Sequence, residues 1–155
     1  MDNNDIFRRL RYILGYNDLK MTEVFAQADH VLPQQEVTLW LKKDEDPVKV
    51  DMPDIKMSIF LNGLINQLRG KKEGAQPEPE KVLNNNIIFR KLRIAFDLQS
   101  DEILDLYESV DKSISAHELS AFFRKPSSSK YRACNDQYLR HFLNGLQTKF
   151  EKKEN

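Results

Sequence analysis

The sequence predicts an all-α protein built from two pseudo-symmetric units of about four helices each, joined by a polar linker that contains proline and glycine. Two observations carry that prediction. Laying the chain against itself so that Asn3 falls on Asn85, without a gap, aligns residues 3–72 with 85–154 and finds 17 of those 70 positions identical, the mark of a duplicated supersecondary unit. Within each copy the apolar residues recur at helical spacing, and no stretch reads as a strand. The identities cluster: "NNDIFRRLR" at 3–11 falls on "NNIIFRKLR" at 85–93, and "FLNGL" occurs at 60–64 and again at 142–146. Between the copies, Gly70 to Leu83 reads "GKKEGAQPEPEKVL", with two prolines, two glycines and mostly charged or polar side chains, a linker composition. The expected organisation is unit 1 over 1–69, linker over 70–83 and unit 2 over 84–155.

The first helix of each unit carries one apolar stripe, Ile6, Phe7, Leu10, Ile13 and Leu14, matched by Ile88, Phe89, Leu92, Ala95 and Phe96. Asn17-Asp18 and Ser100-Asp101 then offer N-caps for a second helix with Met21, Val24 and Phe25, or Ile103, Leu106 and Tyr107. A third helix starts in unit 2 at a capping box, Ser115 with Glu118, where Ile114 is placed to staple against Leu119. Unit 1 has Pro33 at the serine position, so the box is lost while the helix start survives. The fourth helix follows a polar loop, with its stripe at Met57, Phe60, Leu61, Leu64 and Leu68, or Leu139, Phe142, Leu143, Leu146 and Phe150. The charged tail "KFEKKEN" reads as a frayed end.

The stretches "NNDIFRRLRYIL", "NNIIFRKLRIAF", "HELSAFFRK" and "CNDQYLRHFLNGL", with the paired FLNGL, make the chain resemble a bacterial family known as domain of unknown function 1456, or YehS-like. The resemblance spans essentially the whole chain and implies two such units in tandem. It implies no activity and supplies no catalytic or binding residues.

Composition narrows the functional classes. With 40% hydrophobic and 31% charged residues the chain is an ordinary globular composition, and 24 basic residues balance 24 acidic ones, so nothing global favours nucleic acid or an anionic membrane. The N-terminus lacks a leader-like apolar region and no apolar run approaches the length of a bilayer span, so the expected location is cytoplasmic. One cysteine, Cys134, cannot form an internal disulfide.

The repeat also tests candidate sites. His30, His117 and His141 correspond to Lys112, Gln35 and Ile59 in the other unit, so no histidine is kept and no metal-ligand spacing results. Cys134 corresponds to Met52 and reads as a small apolar residue rather than a nucleophile. No catalytic residue, cofactor or metal is expected. The kept charges are Arg8 with Arg90, Arg11 with Arg93, Lys43 with Lys125, Asp29 with Asp111, Glu36 with Glu118 and Asp54 with Asp136. Such charges commonly pair within a unit, yet Arg8 projects away from its helix's apolar stripe. Arg8, Arg11, Arg90, Arg93, Lys42, Lys43, Arg124 and Lys125 are therefore the candidate partner contacts. Aromatic Trp40, Phe122 and Phe123 read as core rather than as a ligand cage.

The expected function is a non-enzymatic protein-binding or regulatory module. Two alternatives stay open. The run 22–41, with its equivalent at 104–123, has the outline of a helix-turn-helix, in which Gln34, Gln35, Thr38 and Lys42, or His117, Ser120 and Arg124, would read nucleic acid. Against it, residues 1–72 hold eleven basic and eleven acidic side chains, and residues 84–155 hold twelve and ten. The third class is an enzyme with a single-copy site between the units. Finally, Asn62, Gly63, Asn144 and Gly145 lie off the apolar stripe of an unbroken fourth helix, and a glycine kept there twice implies a second packing seam, with the asparagine bonding the end of a neighbouring helix.

Overall fold

The computed structural model describes residues 1–154, with side chains described as far as residue 151. Among the described residues the chain forms eight helices and no strand, in two compact units, Met1–Leu83 and Asn84–Asn155. Unit 1 contains α1 (Asn3–Leu14), α2 (Asp18–Ala26), α3 (Gln34–Trp40) and α4 (Asp54–Arg69); unit 2 contains α5 (Asn85–Ala95), α6 (Ser100–Glu108), α7 (Ala116–Phe122) and α8 (Asp136–Glu154). The 70–83 segment, read from its composition as a linker, packs with unit 1.

Each core is the meeting of the expected stripes. In unit 1, Phe7 stands edge-on to Phe25, Trp40 and Phe60, with ring centroids 6.2, 6.3 and 4.8 Å away, and Ile6, Leu10, Met21, Val24, Met57, Leu61 and Leu64 are buried around them. Unit 2 rebuilds this with Phe89 stacked on Phe142 at 4.3 Å and tilted against Phe122 at 6.2 Å. Tyr107 takes the place of Phe25, and its buried hydroxyl donates to the Tyr138 carbonyl at 2.7 Å, the partner a buried phenol needs. Burial pushes the Tyr107 pKa up. One stripe member differs from expectation: Leu68, in the last turn of α4, is 38% exposed, whereas its equivalent Phe150 packs edge-on to Phe96 at 5.4 Å. The tail read as frayed thus continues α8 as far as Glu154; the side chains beyond residue 151 lie outside the described residues.

The loops are fixed by backbone chemistry that both units repeat. Gly15 and Asp97, which occupy equivalent positions, both take the left-handed conformation after the first helix (φ 68° and 53°), as do Asp29 and Asp111 after the second (both 58°). Asp tolerates that region better than most residues, which accounts for the kept Asp29/Asp111 pair: in each case the next N–H, of His30 or Lys112, bonds back to the Phe25 or Tyr107 carbonyl. Asn17 caps α2 by accepting from Lys20 N–H at 2.8 Å. In unit 2 the cap falls at Gln99, one residue before the expected Ser100, which is already helical; Glu102 accepts from Gln99 N–H at 2.9 Å. Ser115 caps α7 through Glu118 N–H, while Pro33 begins α3 with no side-chain cap.

The kept Asn-Asn pair has a role that periodicity does not reveal. Asn4 Nδ2 donates to the carbonyls of Trp40 and Val50, at 3.0 and 2.8 Å, and its Oδ1 accepts from Met52 N–H at 2.9 Å. Asn86 does the same to Phe122, Arg132 and Cys134 at 3.0, 2.9 and 2.9 Å. Asn3 and Asn85 add bonds to the Met52 and Cys134 carbonyls and to Asp54 and Asp136. The start of the first helix therefore clamps both ends of the strandless loop that leads into the fourth.

The FLNGL repeat lies within unbroken helices, α4 and α8. A Cβ on Gly63 would stand 2.1 Å from the Val24 carbonyl oxygen, and one on Gly145 2.6 Å from that of Leu106. Val24 and Leu106 are themselves equivalent positions of the repeat. Glycine in each fourth helix lets the backbone of the second helix lie directly against it. The end of α2 is bonded by Asn66, whose Nδ2 donates to the Gln27 carbonyl at 2.8 Å.

Candidate functional site

The kept arginines serve their own units in different ways. Arg8 donates to the Lys42 carbonyl at 2.8 Å and pairs with Asp5 at 2.5 Å and Asp44 at 3.3 Å. Those carboxylates become Ile87 and Pro126 in unit 2, and Arg90 is exposed. Arg93 instead bonds the Leu98 carbonyl at 3.2 Å and Ser100 Oγ at 3.3 Å, and lies 4.8 Å over the Phe123 ring. Arg11 is half-buried, with its Nε lacking a hydrogen-bond partner. Lys42 is half-buried, and Lys43, Arg124 and Lys125 are exposed. Of the helix-turn-helix reading set, Thr38 is held by Asp18 at 2.9 Å, and α3 and α7 are each only two turns long. Asp2, Asp5 and Asp44 converge within 4.8 Å of one another, but Arg8 and Lys49 stand among them as an ion-pair network. Cys134 is buried, and burial, with Asp136 nearby, pushes its thiol up to about 12, so it is not a nucleophile at neutral pH.

A different feature emerges beside the fourth helix. Gly70, with φ 99°, ends α4 and turns the chain back along it. Asn66 Nδ2 donates to Gln76 Oε1 at 2.6 Å; Ser58 Oγ donates to Glu80 Oε1 at 2.8 Å and accepts from Glu80 N–H at 3.0 Å; Leu83 N–H donates to Asp54 at 2.9 Å. Lys71 also pairs with Asp29. From Asn66 to Ser58 the helix rises about 12 Å, and the four residues from Gln76 to Glu80 can span at most about 14 Å. The segment is therefore an extended strap, the conformation that Pro77 and Pro79 favour.

Strap, α4 and the corner after α2 enclose a groove of about 440 Å³ lined by Ala28, Asp29, His30, Ile59, Asn62 and Gln76–Pro79. Lys56 Nζ lies 2.9 Å from His30 Nε2. Burial and the Lys56 charge lower the His30 pKa, and Glu36 opposes them. Unit 2 has a groove at the corresponding corner, about 380 Å³, lined by Asp111, Lys112 and His141, the equivalents of Asp29, His30 and Ile59, and by Ser113, Asn135, Gln137 and Tyr138. Among the described residues no strap crosses it: where unit 1 has Gly70, unit 2 has Lys152, and the helix continues. Lys112, Ser113, Asn135 and Gln137 are exposed. Tyr138 forms one wall, its hydroxyl donating to Glu118 at 3.0 Å, which lowers the Glu118 pKa. His141 titrates below the ordinary imidazole value, through burial and then the charges of Lys112 and Arg140. The chemistry on offer is recognition: cations and amide groups along an open channel, with no activated nucleophile among the described residues that line it. Candidate selection by kept charge missed this groove, because its distinguishing residues are those that changed between the copies. The visible signal was the Pro-Glu-Pro-Glu run at 77–80.

Comparison with known proteins fits the duplication. The family model described as "Protein of unknown function (DUF1456)" matches twice, at residues 3–70 and 85–151. "Uncharacterized protein YehS" of Escherichia coli (strain K12) is 42% identical over 147 residues, which is 94% of each chain. No solved structure matches. No helix among the described residues is long and apolar enough to cross a membrane. The chain belongs to the DUF1456 family.

Proposed function

We propose that the protein is a non-enzymatic, cytoplasmic protein-binding module whose docking surface is the groove of unit 2. One observation carries this reading: unit 1 holds an extended piece of its own chain alongside its groove, through Ser58, Asn66 and Asp54, while the groove at the corresponding corner of unit 2 has no strap beside it among the described residues. A fold that grips an extended segment once can grip another where its duplicate is open. Main-chain and side-chain bonds to an extended segment are a recurrent mode of peptide recognition.

The test is a photo-crosslinking amino acid at Gln137, on the groove, in the full chain expressed in its native cells. Discrete adducts sensitive to protease and resistant to nuclease are expected from Gln137 and not from its equivalent in the strapped unit, Ile55. Adducts destroyed by nuclease, or none at all, would overturn the reading. Nucleic acid is the second reading, favoured by the exposed Arg90, Arg124 and Lys125 of unit 2. It requires duplex binding that weakens steeply with salt and disappears when those three residues are changed to alanine.

A further inference from the structure

We propose that the groove of unit 2 takes an extended acidic peptide, bound as unit 1 binds residues 76–80. This rests on the docking reading above and adds the class of partner. The two grooves share three equivalent lining positions, Asp29 with Asp111, His30 with Lys112 and Ile59 with His141, and differ in charge at two of these and at a third position beside them on the fourth helix. His30 becomes Lys112, Ile59 becomes His141, and Ser58 becomes Arg140. Ser58 is the residue that receives Glu80, through its carboxylate at 2.8 Å and its backbone N–H at 3.0 Å. Arg140 is exposed, so a carboxylate arriving as Glu80 does would meet a guanidinium instead of a hydroxyl. A guanidinium forms two parallel charge-assisted bonds to a carboxylate.

The other charges facing the groove agree with this. Lys112 and Arg140 both act on His141, so the cations converge on one stretch of α8. Asp111 is the opposing carboxylate on the lining, and Asp136, between Asn135 and Gln137, accepts from Asn85 at 2.8 Å and also feels the Arg140 charge. Glu118 is already bonded to Tyr138 and Ser115. Lys112, Arg140 and His141 therefore stand beside Asp111 and the already bonded Asp136, and the two cations with the histidine still favour an acidic occupant. The strap of unit 1 supplies the shape of that occupant, with prolines to hold it extended and glutamates spaced along it.

The experiment uses the full-length protein labelled with nitrogen-15 and a synthetic peptide of residues 75–82, capped at both ends. A second peptide carries Glu78→Gln and Glu80→Gln. The first peptide is expected to shift the amide resonances of Ser113, Arg140 and His141, and to raise the His141 titration midpoint as carboxylates arrive. The glutamine peptide is expected to bind about tenfold more weakly, and Arg140→Ala to cost about the same factor while Arg140→Lys keeps part of it. Equal binding of the two peptides, shifts confined to unit 1, or no shifts would each overturn the acidic class. If crosslinking at Gln137 still captures protein in that event, docking stands and only the class falls. If the crosslink fails too, both fall.

Discussion

The two units share a fold and divide its duties differently. Three sets of positions that fix the backbone are unchanged: the Asn clamps at 3–4 and 85–86, the glycines at 63 and 145, and the left-handed Asp residues at 29 and 111. Positions that pair side chains have drifted. Arg8 is bound between Asp5 and Asp44, whereas unit 2 offers Arg90 only Ile87 and Pro126 at those places; Arg93 is bound to Leu98 and Ser100, whereas Arg11 has an unpartnered Nε. The comparison teaches that a residue type kept in both copies need not have a kept job. A buried amide or carbonyl without a partner costs about 1–3 kcal/mol wherever it occurs, so the groups that satisfy it stay, while partly exposed ion pairs contribute little and can change.

The largest expected effect tests the clamp. Asn4→Ala or Asn86→Ala removes three hydrogen bonds to buried or half-buried backbone groups and should destabilise its own unit by about 3 kcal/mol. Trp40 is the sole tryptophan and is buried in unit 1, so urea unfolding followed by fluorescence reads unit 1, and circular dichroism reads both. Equal losses would confirm that the clamp is shared; a loss in only one unit would break the equivalence.

The seam comes next. Gly63→Ala puts a methyl group 2.1 Å from the Val24 oxygen and Gly145→Ala one 2.6 Å from that of Leu106. Backbone cannot step aside as a side-chain tip does, so α2 or α6 must be pushed outward, at a cost of about 2–3 kcal/mol. Unit 1, with the closer approach, should lose more. A gain from either substitution, as helix propensity alone would give, would show that the helices are not in contact at those glycines.

Much of this was legible in the sequence. The gapless self-alignment and the stripes located all eight helices, and the off-stripe glycine pair pointed to a second face. Asn4 and Asn86 belong to the repeated stretch, yet spacing on a helix cannot say that an amide reaches a loop 46 to 48 residues away. The strap was hidden by its composition, since proline, glutamate and glycine describe an open linker as well as an extended segment bonded by Ser58 and Asn66. The cap at Gln99 was displaced by one residue because Ser100 is the stronger capping type, while the turn set by Asp97 fixed where α6 could begin. Candidate sites chosen by what both copies keep favour structural residues, and the groove is defined by what one copy changed.

A smaller effect should separate the third helices. Ser115→Ala removes the hydroxyl that accepts from Glu118 N–H at 3.0 Å and should destabilise unit 2 by about 1 kcal/mol. Unit 1 starts α3 at Pro33 with no such bond, so Pro33→Ala should change the Trp40-reported midpoint by less. A larger loss at Pro33 would mean that its fixed φ contributes more than a capping hydroxyl.

The smallest effect tests the two grooves through their histidines. His30 in unit 1 and His141 in unit 2 occupy non-equivalent positions, yet each faces a lysine across its groove: Lys56 at 2.9 Å from His30, and Lys112 acting on His141 with Arg140 beside it. Burial is the larger cause of lowering in both, so both should titrate below 6.5 by proton NMR. Lys56→Gln should raise the His30 midpoint and Lys112→Gln that of His141, each only part of the way, because burial remains. For a base whose folded pKa is depressed, the neutral form is the one the fold favours. The associated stability is complete above 6.5 and is lost as the pH falls from there toward the folded value, where the unfolded chain binds protons that the native one does not. An unchanged His141 midpoint in Lys112→Gln would show that Lys112 does not turn toward the groove. It would thereby remove one of the two cations on which the difference in charge between the grooves depends.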